Sequence, residues 1–164
     1  MKGDLIAFLL FLFFFSDFYR YCDDHLQAIE TWENETLPVY IRELGEHPWT
    51  ASLLHWIAFS YKILANGKSG DYADKAKRKL MEALQIQTKL LGNHLDTARS
   101  YVRLGEVLKI QGEFKLALEE LEKGLKIRED VLGPDHEKAI STTYRKEVQR
   151  LYEESNKTRR NKDQ

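Results

Sequence analysis

Three histidines invite a chemical reading. His47, His94 and His136 each follow a Leu-Gly pair, and imidazole is a common metal ligand and general base. They lie far apart in the chain, with no HExxH and no CxxC to complete a ligand set, and Cys22 is the only cysteine. Gly67-Lys68-Ser69 has the ending of a phosphate-binding loop. The glycine required five residues earlier is Lys62 instead, and no strand pattern precedes it. The segment reads as a loop inserted between two helices. Glu119-Glu120 pairs two carboxylates, but on a charged helical face where Lys123 supplies the partner. Nothing couples a nucleophile to a base. The expectation is a non-enzyme with no catalytic residue, no metal and no cofactor.

The elements that would position any site are helical. The chain has 164 residues, 43% hydrophobic and 31% charged, with nine Gly and three Pro. That is enough for one domain, too ordered in composition for a disordered chain, and poor in turn residues. The net charge of -1 gives no bias toward nucleic acid, so none is expected as a partner. A single cysteine excludes an internal disulfide and suits a reducing compartment.

Self-comparison finds a repeat. LGEHPWTAS from Leu44, LGNHLDTARS from Leu91 and LGPDHEKAIS from Leu132 align. The stretch around 66–70 accounts for the longer first unit. Further on, Ala76 matches Ala117, Leu80 matches Leu121, Ala83 matches Gly124, Leu84 matches Leu125 and Ile86 matches Ile127, at constant spacing. Each unit reads as two helices. Tyr101, Leu104, Gly105 and Leu108 form one apolar stripe, Gly112 stops that helix, and Phe114, Ala117, Leu118, Leu121, Leu125 and Ile127 form the next stripe. Small residues at Ala58, Ala76, Gly105 and Ala117 let the two axes approach to roughly 8–10 Å. The spacing predicts helices near 50–65, 71–91, 97–111, 113–132 and 138–155, and no sheet. Tyr144, Val148, Leu151 and Tyr152 share a face of the last one, which has no partner helix.

The order Tyr101, Leu104, Gly105, Leu108, Ala117, Leu121, Gly124 resembles the tetratricopeptide (TPR) consensus. The unit length and the link Gly92-Asn93-His94-Leu95-Asp96-Thr97-Ala98, echoed by Gly133-Pro134-Asp135-His136, are similar to the longer subtype of kinesin light chains and nephrocystin-like proteins. The resemblance covers about two thirds of the chain. Tyr72 is displaced by one residue relative to Phe114, and Glu147 stands where a large apolar residue is usual. The resemblance implies an all-α fold of antiparallel hairpins stacked as a right-handed superhelix, an α-solenoid. It also implies a concave groove that holds a peptide or partner helix, faced by the first helix of each unit. Transferred by register, the groove positions are Ser52, His55, Phe59 and Lys62, then Arg99, Val102, Glu106 and Lys109, then Thr142, Arg145, Gln149 and Tyr152. Lys62, Arg99 and Lys109 would favour an acidic ligand, with Phe59 and Tyr152 as apolar anchors.

Four segments are expected: a hydrophobic N-terminus over 1–19, a degenerate helical lead-in over 20–43, repeats over 44–155 and a basic tail over 156–164. VYIRELG in the lead-in resembles the end of a second helix. Leu5 to Phe15 is an unbroken apolar run, and five phenylalanines within it fit lipid better than the end of a small solenoid. It is short for a membrane span, lacks a signal-peptide cleavage site, and is compatible with a gene-model artefact or with packing on the first repeat. A membrane-associated N-terminus on a cytoplasmic repeat domain is the expectation. Asn34-Glu35-Thr36 and Asn156-Lys157-Thr158 are glycosylation acceptors only if they reach a lumen. The function expected is a protein-interaction module or adaptor. The alternatives are a TPR fragment of a larger signalling or NTPase protein, and self-association through the unpaired last helix.

Overall fold

The computed structural model describes residues 24–67 and 71–133, together with 146, 149–150, 152–153 and 156. Among the described residues all regular structure is helical. The elements are α1 (His25–Thr31), a π-helical turn (Trp32–Thr36), α2 (Leu37–Leu44), α3 (Pro48–Gly67), α4 (Tyr72–Leu90), α5 (Leu95–Ile110) and α6 (Phe114–Leu132). They fall into two compact units, Met1–Leu91 and Gly92–Gln164. The expected helices over 50–65, 71–91, 97–111 and 113–132 correspond to α3–α6. The segment 138–155 lies mostly outside the described residues, although 146, 149–150 and 152–153 are helical.

Each unit is built on an antiparallel hairpin, α3 with α4 and α5 with α6. The residues matched by register, Ala76 with Ala117, Leu80 with Leu121, Ala83 with Gly124, Leu84 with Leu125 and Ile86 with Ile127, are all buried. From the facing helices come Leu54, Ile57 and Ala58 in the first unit, and Leu104, Gly105 and Leu108 in the second. Burying one such Leu or Ile is worth about 1.5–3 kcal/mol, so a matched apolar stripe is enough to hold a hairpin closed.

Helix contact in the second unit depends on two glycines. A Cβ on Gly105 would lie 2.7 Å from Leu121 Cγ and 3.0 Å from the Ala117 carbonyl oxygen. A Cβ on Gly124 would lie 2.8 Å from the Ala98 carbonyl oxygen and 2.9 Å from Val102 Cγ2. Backbone meets backbone at both places, and only hydrogen fits between.

The lead-in is more regular than its sequence match suggests. Asp24 caps α1 by accepting the Gln27 backbone N–H at 3.1 Å. The helical path then runs through the π turn to Leu44. Pro38 explains the turn. A proline inside an α-helix has no N–H to give and collides with the carbonyl four residues back. Widening to a π turn, with the Leu37 N–H bonded to the Trp32 carbonyl, absorbs that defect. Trp32 and Thr36 of this turn are fully buried, and α1, the π turn and α2 all pack on α3. Glu33 fastens the lead-in to the hairpin. It accepts a hydrogen bond from Tyr61 Oη at 2.7 Å and pairs with Lys79 at 3.2 Å.

The apolar run over 5–15 lies outside the described residues. Among the described residues no helix is long and apolar enough to cross a membrane. The Asn34 acceptor triplet falls in the π turn, where Thr36 has no exposure.

Candidate functional site

The repeated Leu-Gly-x-His link is a joint between helices. Gly45 and Gly92 have φ of 61° and 59°, the left-handed region that a side chain disfavours, and this turns the chain out of α2 and α4. The histidine two residues later opens the next helix. Trp49 N–H donates to His47 Nδ1 at 3.1 Å, and Asp96 N–H donates to His94 Nδ1 at 3.2 Å. Each imidazole fills the place usually held by Ser, Thr, Asp or Asn, satisfying a backbone donor that the first turn leaves open. Pro48 then occupies the first helical position, where its missing N–H costs nothing. The sequence showed the recurrence of these histidines but not this role. The signal was there in their constant offset from a helix start. His136, Lys68 and Ser69 lie outside the described residues.

On α3 the positions expected to face a groove divide. Ser52, Phe59 and Lys62 are partly exposed. His55 is 3% exposed, beneath the surface of the unit. It lies on a helix against which the lead-in packs, and so little of it is exposed that it offers scant contact surface. His25 of α1 shows the same packing: its Nδ1 lies 3.0 Å from Ser60 Oγ, and its ring meets Phe59 edge-on at 6.1 Å. Phe59 also meets Trp56 edge-on at 5.9 Å, and Lys62 Nζ lies 5.7 Å from the centre of the Phe59 ring. Trp56, Phe59 and Lys62 together make an aromatic and cationic strip, half exposed. Trp56 was missed from sequence because it falls just off the register transferred from the family.

On α5 the four positions do follow one another along a helical face. Arg99 is exposed and bridged to Asp96 at 3.0 Å, and Glu106 is held by Arg103 at 2.9 Å. Lys109 is partly exposed. Val102 leans on Gly124 and so belongs as much to the hairpin seam as to the surface. Burial, and then the positive charge of Arg99, hold the Arg128 guanidinium below its ordinary pKa. Two guanidinium groups are thus within electrostatic reach across α5 and α6.

Thr142 and Arg145 lie outside the described residues. Gln149 is exposed, and its Nε2 donates to Glu153 Oε1 at 2.8 Å. Tyr152 lines a crevice with Gly112, Phe114 and Leu116 at the α5–α6 turn. Val148 and Leu151, on which the expectation of self-association rests, are also outside the described residues. Among the described residues no cluster of His, Cys, Asp and Glu has the form of a metal site.

Antiparallel hairpins with small residues at the crossings, joined by short capped links, define a class of helical-repeat proteins. Within it, residues 68–130 match the family model of the tetratricopeptide repeat. The match takes in α4, α5 and α6. No curated protein matches the chain.

Proposed function

We propose that this protein is a non-catalytic interaction module, an adaptor that binds a peptide or helix of a partner protein through the first helix of each hairpin. The tetratricopeptide-repeat match over 68–130 is the observation that carries the reading, because that fold serves in general to bind other proteins. Two surfaces support it. The strip of Trp56, Phe59 and Lys62 on α3 offers apolar area beside a cation. The α5 face offers Arg99 and Lys109, with Arg128 nearby on α6. Cations crowded on one surface attract an anionic ligand, and at physiological salt that attraction reaches about 8 Å. An acidic segment is the ligand proposed, and the subtype proposed is the longer one of kinesin light chains and nephrocystin-like proteins.

The test is capture of partners from the native cell extract by wild type and by the Lys62→Ala, Arg99→Ala, Lys109→Ala triple variant. Captured proteins should be lost from the triple variant and retained by a variant altered on exposed α4 and α6 positions, such as Met81 and Glu119. The reverse pattern would place the working surface on the second helices instead.

A further inference from the structure

The first unit has a second concavity, on the other side of α3. Thr50 and Phe59 are nine residues apart, two and a half helical turns, and so project in opposite directions. Around Thr50 lies a crevice of about 320 Å³ between the end of α2, the start of α3 and α4. Leu54 and Ile86 form its apolar floor, at 3% and 9% exposure. Ile41 stands at its edge with 56% of its surface in water, a high value for a large aliphatic residue.

Two features say what kind of group would enter. The first is a hydroxyl. Thr50 is 2% exposed, and its Oγ1 has no hydrogen-bond partner among the described residues. A buried hydroxyl without a partner is costly, and a turn about χ1 can offer it to a polar atom entering the crevice. A purely aliphatic occupant would leave it unpaired. Tyrosine and tryptophan bring an apolar body with a polar tip. The second feature is charge. The ionisable side chains lining the crevice are carboxylates, Glu46 and Glu82. Glu46 is bridged to Lys89. Glu82 is exposed and has no ion-pair partner among the described residues.

We propose that this crevice is a docking site for a basic peptide segment, which inserts one tyrosine or tryptophan side chain between Ile41, Leu54 and Ile86 and sets a flanking lysine or arginine against Glu82. The volume suits one large aromatic side chain rather than a whole small molecule, being at the low end of ligand pockets. The ligand has the opposite charge to the one proposed for the α3 and α5 faces, so the two sites are separable by experiment.

The probe is a fluorescein-labelled peptide, Gly-Lys-Lys-Trp-Lys-Lys, titrated with the full chain and followed by fluorescence anisotropy. Ile41→Ser, which leaves the charge unchanged, and Glu82→Lys should each weaken binding about tenfold or more. Replacing the probe tryptophan by alanine should do the same. Thr50→Val should abolish the preference of the site for tryptophan over leucine in the probe. The Lys62, Arg99, Lys109 triple alanine variant and Glu129→Lys on α6, none of whose residues lines the crevice, should bind within about twofold of wild type. Circular dichroism confirms that each variant is folded. The proposal is overturned by a probe that does not bind wild type, by unchanged affinity in Ile41→Ser and Glu82→Lys, or by an equal loss in Glu129→Lys, which would mean charge attraction without a site.

Discussion

At Gly105 two effects of a single methyl group oppose each other, and the structure says which is larger. Gly105→Ala removes the flexibility of glycine from a helix interior, which alone would stabilise the protein by about 0.5–1 kcal/mol. The new Cβ, however, would lie 2.7 Å from Leu121 Cγ and 3.0 Å from the Ala117 carbonyl oxygen. Leu121 has no exposed surface and so little room to turn aside, and the carbonyl is part of the α6 backbone. Overpacking of this kind costs about 1–3 kcal/mol, so the net effect should be a loss of about 1 kcal/mol for alanine. Gly105→Leu, with three further carbons, should lie toward the upper end of that overpacking range. At roughly 2–4 °C per kcal/mol for a chain of this size, melts followed by circular dichroism at 222 nm resolve both. A double-mutant cycle sharpens the result. Leu121→Ala alone should cost about 2–5 kcal/mol through the cavity it leaves, and much less in the Gly105→Leu background, where the new side chain fills that space. If Gly105→Ala raises the melting temperature, the helices do not touch there and the register of the hairpin is wrong. Additive effects of the two changes would refute the contact as well.

His94→Ala should destabilise the protein by about 0.5–2 kcal/mol through loss of the α5 cap, and His94→Asn should restore most of it, as read by urea unfolding. Tyr61→Phe should cost about 1.5–3 kcal/mol, because the hydroxyl donates to the charged Glu33; an unchanged midpoint would show that the lead-in does not rely on this clasp. Burial, and then the bond to Glu33, raise the Tyr61 pKa well above its ordinary value. The stability that this gives is fully present below pH about 10, the unfolded value, and is lost as pH rises further. Alkaline titration of the melting temperature should therefore show a steeper decline for wild type than for Tyr61→Phe.

The hairpins were legible because the apolar stripes and the small residues at the crossings obey a single period, and α3–α6 follow the expected boundaries within a few residues. The lead-in was less legible. Its π turn breaks the 3.6-residue spacing between Trp32 and Leu37, and Pro38 reads as a helix stop unless the widened turn is known. Among the candidate surface positions, register alone could place Phe59 and Lys62 on α3 but could not show that His55 is buried there. The caps formed by His47 and His94 were hidden for a chemical reason. Histidine is an uncommon N-cap, so its recurrence suggests metal or proton chemistry before it suggests a backbone partner.

The joint built from a left-handed glycine and a capping histidine also bears on how such a chain can change length. It closes one helix and opens the next within three residues, Gly45–His47 in one place and Gly92–His94 in another. The 41 positions from Gly92 to Leu132 therefore form a cassette that begins on such a joint and ends immediately before Gly133, whose φ of 84° is again positive. A duplication or loss of that cassette joins glycine to leucine as the native chain does and splits no helix. Recombination between these short, similar stretches would then add or remove a whole hairpin in one step, leaving the number of repeats open to variation while the geometry within each hairpin is preserved.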